Sequence, residues 1–228
     1  MTKFIQPPTG HGAAPGAGAA EAEAARPLPV QPRALRTRAA LLAAVEALVA
    51  AEGAGAVTTT RVAETAGVSV GTLYRYFTDR DDLVLAAYDG TVERIVAACA
   101  KELEGLPGTI AVDEAARRLL GIYLAAAEAI PSHSGLLKAM RAVRPVEADQ
   151  GNAYSGVVDE ILAPFLARFG KPGAAPDPLR LNLLNVLMST LVDLYLVTRS
   201  AEERAVLRDE IEAHMLLAVA RLDIANAG

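Results

Sequence analysis

The sequence predicts an all-α fold of about nine helices, and three observations carry that reading. From about residue 33 onward, large apolar residues recur at spacings of three and four. No stretch alternates apolar and polar residues as a half-buried strand does. The breaks between periodic segments hold glycine or proline, and several are followed by hydroxyl or aspartate side chains suited to capping a helix.

Residues 1–32 read as a flexible tail, because GHGAAPGAGAA and RPLPVQPR offer few large apolar groups to offset the entropy of ordering. Gly10 and Gly12 lack the strand and the full spacing of a dinucleotide fingerprint. Leu41, Val45, Leu48 and Val49 mark one face of a first helix, stopped by Gly53 and Gly55. Thr58-Thr59-Thr60 caps a short second helix that ends at Gly67. A third runs from Ser69 or Val70 to Phe77, and Asp79 caps a long fourth over residues 79–104 with Val84, Tyr88, Thr91 and Ile95 in register. Gly105-Leu106-Pro107-Gly108 is the clearest break in the chain.

Five further helical segments follow. Leu120, Tyr123, Ala127 and Ile130 line the first, and Leu136, Leu137 and Met140 lie on a short piece between Ser132 and Pro145. Val158, Leu162, Phe165 and Phe169 mark the next, which Pro164 is expected to kink. Residues 178–199 are apolar almost all round, as in a helix buried on more than one side. The last shows Leu207, Ile211, Met215, Ala218 and Leu222. The organisation is thus a tail (1–32), a first helical unit (33–80) and a larger one (81–228).

A hydrophobic fraction of 52% with 21% charged residues suits a globular chain. The net charge of −5 argues against indiscriminate coating of nucleic acid, but its distribution is uneven. Residues 31–80 carry six basic and four acidic side chains, whereas residues 81–228 carry fourteen and twenty-one. Positive charge gathers near one end. Cys99, the only cysteine, rules out an intrachain disulfide and a cysteine-built zinc site. Residues 1–20 lack the apolar core of a signal peptide, and no run of about 18 apolar residues is free of charges and amides. A cytoplasmic protein without a membrane span is the expectation.

The stretch VTTTRVAETAGVSVGTLYRYFTDRDDL (57–83) is the informative one. Two short helices meet at the turn Ala66-Gly67-Val68-Ser69, where Gly67 can take the left-handed conformation and Ser69 can cap the second helix. Val62, Ala63, Val68, Leu73 and Phe77 supply the contacts that pin the pair. This is a helix-turn-helix, whose second helix enters the DNA major groove. Thr72, Tyr74, Arg75 and Tyr76 offer hydroxyls and a guanidinium to phosphates and base edges, and Arg80 is placed to hold a phosphate.

The run Thr37-Arg38-x-x-Leu41-Leu42-x-Ala44, then Thr58-Thr59, then AGVSVGTLYRYF with Arg80 and Leu83, resembles the tetracycline-repressor (TetR) family over about residues 37–88. Arg80 stands where that family often has lysine. The resemblance implies that Thr59, Ser69, Thr72, Tyr74, Tyr76 and Arg80 contact mainly the DNA backbone, with Val70, Gly71 and Arg75 at or near the bases. Arg38 and Thr58 complete the candidate DNA-binding set. It further implies a homodimer built through residues 178–199 and 202–222 on a near-palindromic double-stranded operator, and an effector cavity in the helical body. The function so implied is that of a ligand-responsive repressor of transcription.

Two other readings compete. An enzyme would need chemistry the sequence does not assemble: His133 lies beside Ser132 and Ser134 with no strand-turn elbow, and Ser132 fits a helix cap. Asp81-Asp82 and Glu202-Glu203 sit at helix starts, where the dipole favours negative charge. No metal-ligand spacing and no cofactor motif appears. A ligand-independent repressor is the second alternative. One clue favours a ligand: Asn182, Asn185, Ser189 and Asp193 form a polar stripe on the apolar helix 178–199. A solvated face or a polar rim to the dimer seam explains that stripe slightly better than a ligand pocket does. The candidate ligand set is Tyr123, Ala127, Leu137, Met140, Arg141, Phe165, Asn185, Met188 and Ser189, the apolar members of which also suit plain core packing. For the dimer, Leu181, Leu184, Met188, Leu191 and Tyr195 recur at near-heptad spacing, and arginine at Leu191 is expected to bury an unpaired charge and to separate or unfold the subunits.

Overall fold

The computed structural model describes residues 32–144, 157–170 and 178–224. The expected tail therefore lies, up to residue 31, outside the described residues. Those described contain nine α-helices and no strand: α1 (Pro32–Glu52), α2 (Thr59–Thr65), α3 (Val70–Leu73), α4 (Arg80–Gly105), α5 (Val112–Glu128), α6 (His133–Val143), α7 (Ala163–Phe169), α8 (Pro178–Val197) and α9 (Ala201–Ile224).

The N-terminal helices end where their local chemistry says they should. Thr58 caps α2 by accepting from the Arg61 amide at 3.2 Å, and Ser69 caps α3 by accepting from the Thr72 amide at 3.1 Å. Asp79 accepts from the Asp82 amide at 2.9 Å, while Asp82 reaches back to the Thr78 amide at 2.9 Å, so two otherwise orphaned donors are satisfied at the start of α4. Gly67 has φ +68°, and the Val68 amide returns to the Ala63 carbonyl at 2.9 Å, the six-to-one bond of a Schellman ending.

The described residues form three hydrophobic cores. The first joins α1, α2, α3 and the start of α4 with Leu136, Leu137 and Met140 of α6. The second gathers Cys99 and Leu103 of α4, Ala116 and Leu119 of α5, Phe165 of α7 and Val219 of α9. The third is Leu120, Leu124, Val192, Tyr195 and Ile211, between α5, α8 and α9. Helix α4 thus runs from the first core into the second. Arg168 of α7 donates to the carbonyls of Leu103 and Leu106, and so holds the far end of α4.

Two local expectations need correction. The α-helical part of α3 stops at Leu73, and the chain to Phe77 is carried by tighter turns, with the Tyr76 amide on the Leu73 carbonyl at 2.9 Å. Pro164 sits in the first turn of α7, and a π-helical segment, Val158–Leu162, runs directly into it. Helix α8 is not enclosed within its own chain: Leu183, Leu187 and Leu194 are 59%, 44% and 50% exposed. By length and composition α8 could cross a membrane. It nevertheless packs against α5, α6 and α9, and Asp193 on it pairs with Arg141 at 2.5 Å.

The join between α1 and α6 depends on one glycine. A Cβ on Gly135 would meet Cγ1 of Val49 at 2.6 Å, and Val49 is a stiff, buried, β-branched side chain. Gly135→Ala is therefore expected to lower stability by about 1–3 kcal/mol through overpacking. Denaturant unfolding of Gly135→Ala alone and combined with Val49→Ala checks this, since the second change removes the obstructing methyl and should return part of the loss.

Candidate functional site

The helix-turn-helix presents two kinds of side chain. Leu73 and Phe77 are buried, and Val70 and Tyr76 pack partly onto the same core, which fixes the orientation of the segment. Arg38 on α1 lies over the Phe77 ring at 5.6 Å and braces it from the other side. Outward, Tyr74 is half exposed, and its hydroxyl lies 3.4 Å from Thr59 Oγ1 on α2. The Ser69 and Thr72 hydroxyls are 2.9 Å apart. Gly71 is exposed, and a Cβ there would touch only Ser69 Oγ, at 3.9 Å, so close approach to this face is sterically open. Arg75 is exposed and has no hydrogen-bond or ion-pair partner among the described residues. Thr58 and Thr59, Ser69 to Thr72, and Tyr74 to Tyr76 thus come together around one helix pair.

Arg80 is placed differently. Its Nε donates to the Val57 carbonyl at 3.2 Å, Nη2 to the Ala54 carbonyl at 3.0 Å, and Nη1 to Asp81 at 2.7 Å. The side chain ties the loop after α1 to the start of α4, with 40% of its surface left in solvent. Sequence could not show this bracing, because the two carbonyls lie more than twenty residues away in the chain.

A second site lies in the body. A cavity of about 160 Å³ opens between α4, α5, the π-turn with α7, α8 and α9. Of the nine residues expected to line it, Tyr123, Phe165, Asn185, Met188 and Ser189 do. Ala127, Leu137 and Met140 do not. Ala127 is buried away from it, and Leu137 and Met140 are fully buried in the first core, because α6 turns its apolar face to α1 and α4. Arg141 does not either: its guanidinium holds Asp193 through Nε at 2.8 Å and Nη2 at 2.5 Å. Of the polar stripe of α8, Asn185 and Ser189 line the cavity and Asp193 pairs across to α6. Cys99, Leu119, Leu120 and Val192 also line it, and the sequence did not mark them as wall residues. Their helical spacing is that of any core position. Burial pushes the Cys99 thiol up to about 12, so it stays neutral.

The side chains that raised the question of catalysis form a structural network. Ser132 donates to Glu46 at 3.2 Å, and Arg94 pairs with Glu46 at 2.6 Å. Thr91 Oγ1 gives its one proton to the Tyr88 carbonyl at 2.6 Å, so it accepts from His133 Nδ1 at 2.7 Å. His133 is 2% exposed and stacks on Tyr88 with ring centroids 5.6 Å apart. Serine and histidine thus face different partners. Among the described residues no group of three His, Cys, Asp or Glu side chains is placed to hold a metal ion.

Residues 41–87 match the family model described as bacterial regulatory proteins, tetR family. The match spans the helix-turn-helix and the first turns of α4. No curated protein sequence matches the chain. Solved structures resemble the chain over most of its length. A TetR-family transcriptional regulator from Streptomyces coelicolor is 20% identical, with a TM-score of 0.61 over 82% of this chain and 99% of that one. The TetR-family repressor AlkX from Dietzia sp., implicated in biodegradation of n-alkanes, is 18% identical, with a TM-score of 0.55 over 79% and 94%. RolR, solved with its ligand resorcinol, is 18% identical, with a TM-score of 0.53 over 81% and 93%. At these identities the likeness is one of fold. The matched family is one of transcriptional regulators and not of enzymes.

Proposed function

We propose that the protein is a sequence-specific DNA-binding repressor that acts as a cytoplasmic homodimer and is released from its operator by a small, mainly apolar molecule. The observation that carries this reading is the pairing of an unengaged Arg75 on the recognition segment with an apolar cavity that shares α4 with it. Helix α4 begins at Arg80, directly after the recognition segment, and contributes Cys99 to the cavity wall. A ligand that fits the cavity better in one setting of α4 than in another would shift the separation of the two recognition helices. A coupling of about 1–3 kcal/mol changes DNA affinity some 5–150-fold. That RolR is held with resorcinol gives a fold neighbour with a small ligand. In the dimer, α8 and α9 of the two chains form the seam, and half-sites lie roughly 34–36 Å apart or a multiple of that.

Arg75 is assigned to base reading and Arg80 to phosphate, with Thr58, Thr59, Ser69, Thr72, Tyr74 and Tyr76 mainly on the backbone, Val70 and Gly71 close to the bases, and Arg38 as their brace. Operator sites selected from a random duplex pool provide the test. Arg75→Ala is expected to cost about 1–3 kcal/mol on the preferred site and to flatten the preference among sites. Arg80→Ala is expected to weaken all sites alike and to lower the salt slope by roughly 0.9. Equal loss of preference from both substitutions contradicts these roles, and absence of any preferred site contradicts the reading as a whole.

A further inference from the structure

The cavity carries more information than its existence. Its volume of about 160 Å³ is close to the roughly 150 Å³ of an engineered apolar cavity known to take benzene. That size suits a single ring or its equivalent, on the order of six to ten non-hydrogen atoms. None of the described side chains that line it is charged, and burial keeps the Cys99 thiol neutral as well. A carboxylate or ammonium brought in here would lose its water and meet no counter-charge.

The wall is not uniformly apolar, however. Asn185 is 8% exposed, lines the cavity, and has no hydrogen-bond partner among the described residues. A buried amide offers donors and an acceptor and is costly to leave unpaired. One turn further along α8, Ser189 spends its proton on the Val186 carbonyl at 3.0 Å, so its oxygen faces the site as an acceptor. A hydroxyl is the small group that both accepts from an amide and donates to a neighbouring oxygen.

We infer that the cavity takes an uncharged molecule of single-ring size, apolar except for one hydroxyl that is received by Asn185. This deepens the effector reading above and rests on it for its regulatory meaning. Asn185 is then the residue that sets ligand specificity, and the apolar wall supplies most of the affinity.

The experiment titrates the full-length protein by calorimetry with phenol, cyclohexanol, benzene and benzoate. A wholly apolar cavity prefers benzene to phenol, because phenol must shed water from its hydroxyl without replacement. The expected order is the reverse, with phenol or cyclohexanol roughly fivefold or more tighter than benzene. Benzoate should be at least about a hundredfold weaker than phenol. Which of the two alcohols binds more tightly tells a flat ring from a puckered one. Asn185→Leu should abolish the hydroxyl preference while retaining benzene. If that variant does not fold, the wild-type order alone decides. Benzene equal to phenol, a hydroxyl preference that survives in Asn185→Leu, benzoate as tight as phenol, or no binding by any of the four at millimolar concentration each overturns the inference. The same titrations repeated with a selected operator duplex separate it from the effector reading. Hydroxyl-selective binding that leaves operator affinity unchanged upholds the site and removes the switch.

Discussion

Replacing Leu187 by arginine is expected to give a folded monomer that has lost most of its affinity for the operator. Leu183, Leu187 and Leu194 share the exposed stripe of α8, with Thr190 between them, so the subunit itself tolerates a charge there. In the proposed dimer, two-fold symmetry sets two such charges into one desolvated seam without partners, at a cost of several kcal/mol for each. A monomer keeps one half-site and forfeits the other, which should weaken operator binding roughly 10³-fold. Sedimentation analysis at low concentration, helix content from circular dichroism and operator titration check the three parts. A Leu187→Arg protein that remains dimeric places the seam elsewhere. The stripe that near-heptad spacing points to is unsuited to this test. Leu184 and Tyr195 are buried within the chain, Met188 lines the cavity, and Leu191 packs against the third core, so arginine at any of them unfolds the subunit before it reports on pairing.

The second large effect is acid lability from His133. Burial, with a smaller contribution from Arg94 and against the pull of Glu46, lowers its pKa from 6.5 to about 4. In the folded protein the ring is therefore neutral at pH 7, with its Nδ1 proton on Thr91 and its face on Tyr88. The unfolded chain takes up a proton near pH 6.5 and the folded one only near pH 4. Between those values the unfolded state binds more protons, and stability falls as pH falls. The stabilisation is fully present above about pH 6.5 and is lost on approach to pH 4, by roughly 3 kcal/mol from this group alone. Carboxylates elsewhere add their own acid sensitivity, so the measurement is a difference. Urea unfolding of the wild type and of His133→Asn at pH 7, 5.5 and 4.5 should show the variant less stable at pH 7 but with a shallower decline. Parallel declines would mean that the histidine does not titrate in this window. The network spans α1, α4 and α6, so acid should loosen the join between the helix-turn-helix and the body first.

The part of the molecule legible in the chain alone is the part governed by local chemistry. Thr58, Ser69 and Asp79 cap their helices and Gly67 takes its left-handed turn because each satisfies backbone groups within a few residues of itself. The helix count and the recognition segment follow from the same short-range rules. Where the larger faces point depends on packing between distant segments. Helix α8 is apolar almost all round, so its periodicity contains no inside and outside, and only packing shows Leu184 within and Leu187 without. Leu137 and Phe165 are equally good core residues by composition, yet one fills the space beneath α1 and the other borders an empty volume. A void leaves no trace in a pattern of residue types, because its walls are made of the same side chains as a filled core. Arg80 and Arg141 read as free cations in the sequence, and apart from Asp81 beside Arg80 the groups they hold lie tens of residues away. Contacts of that range come from the closure of the fold, which no local spacing encodes.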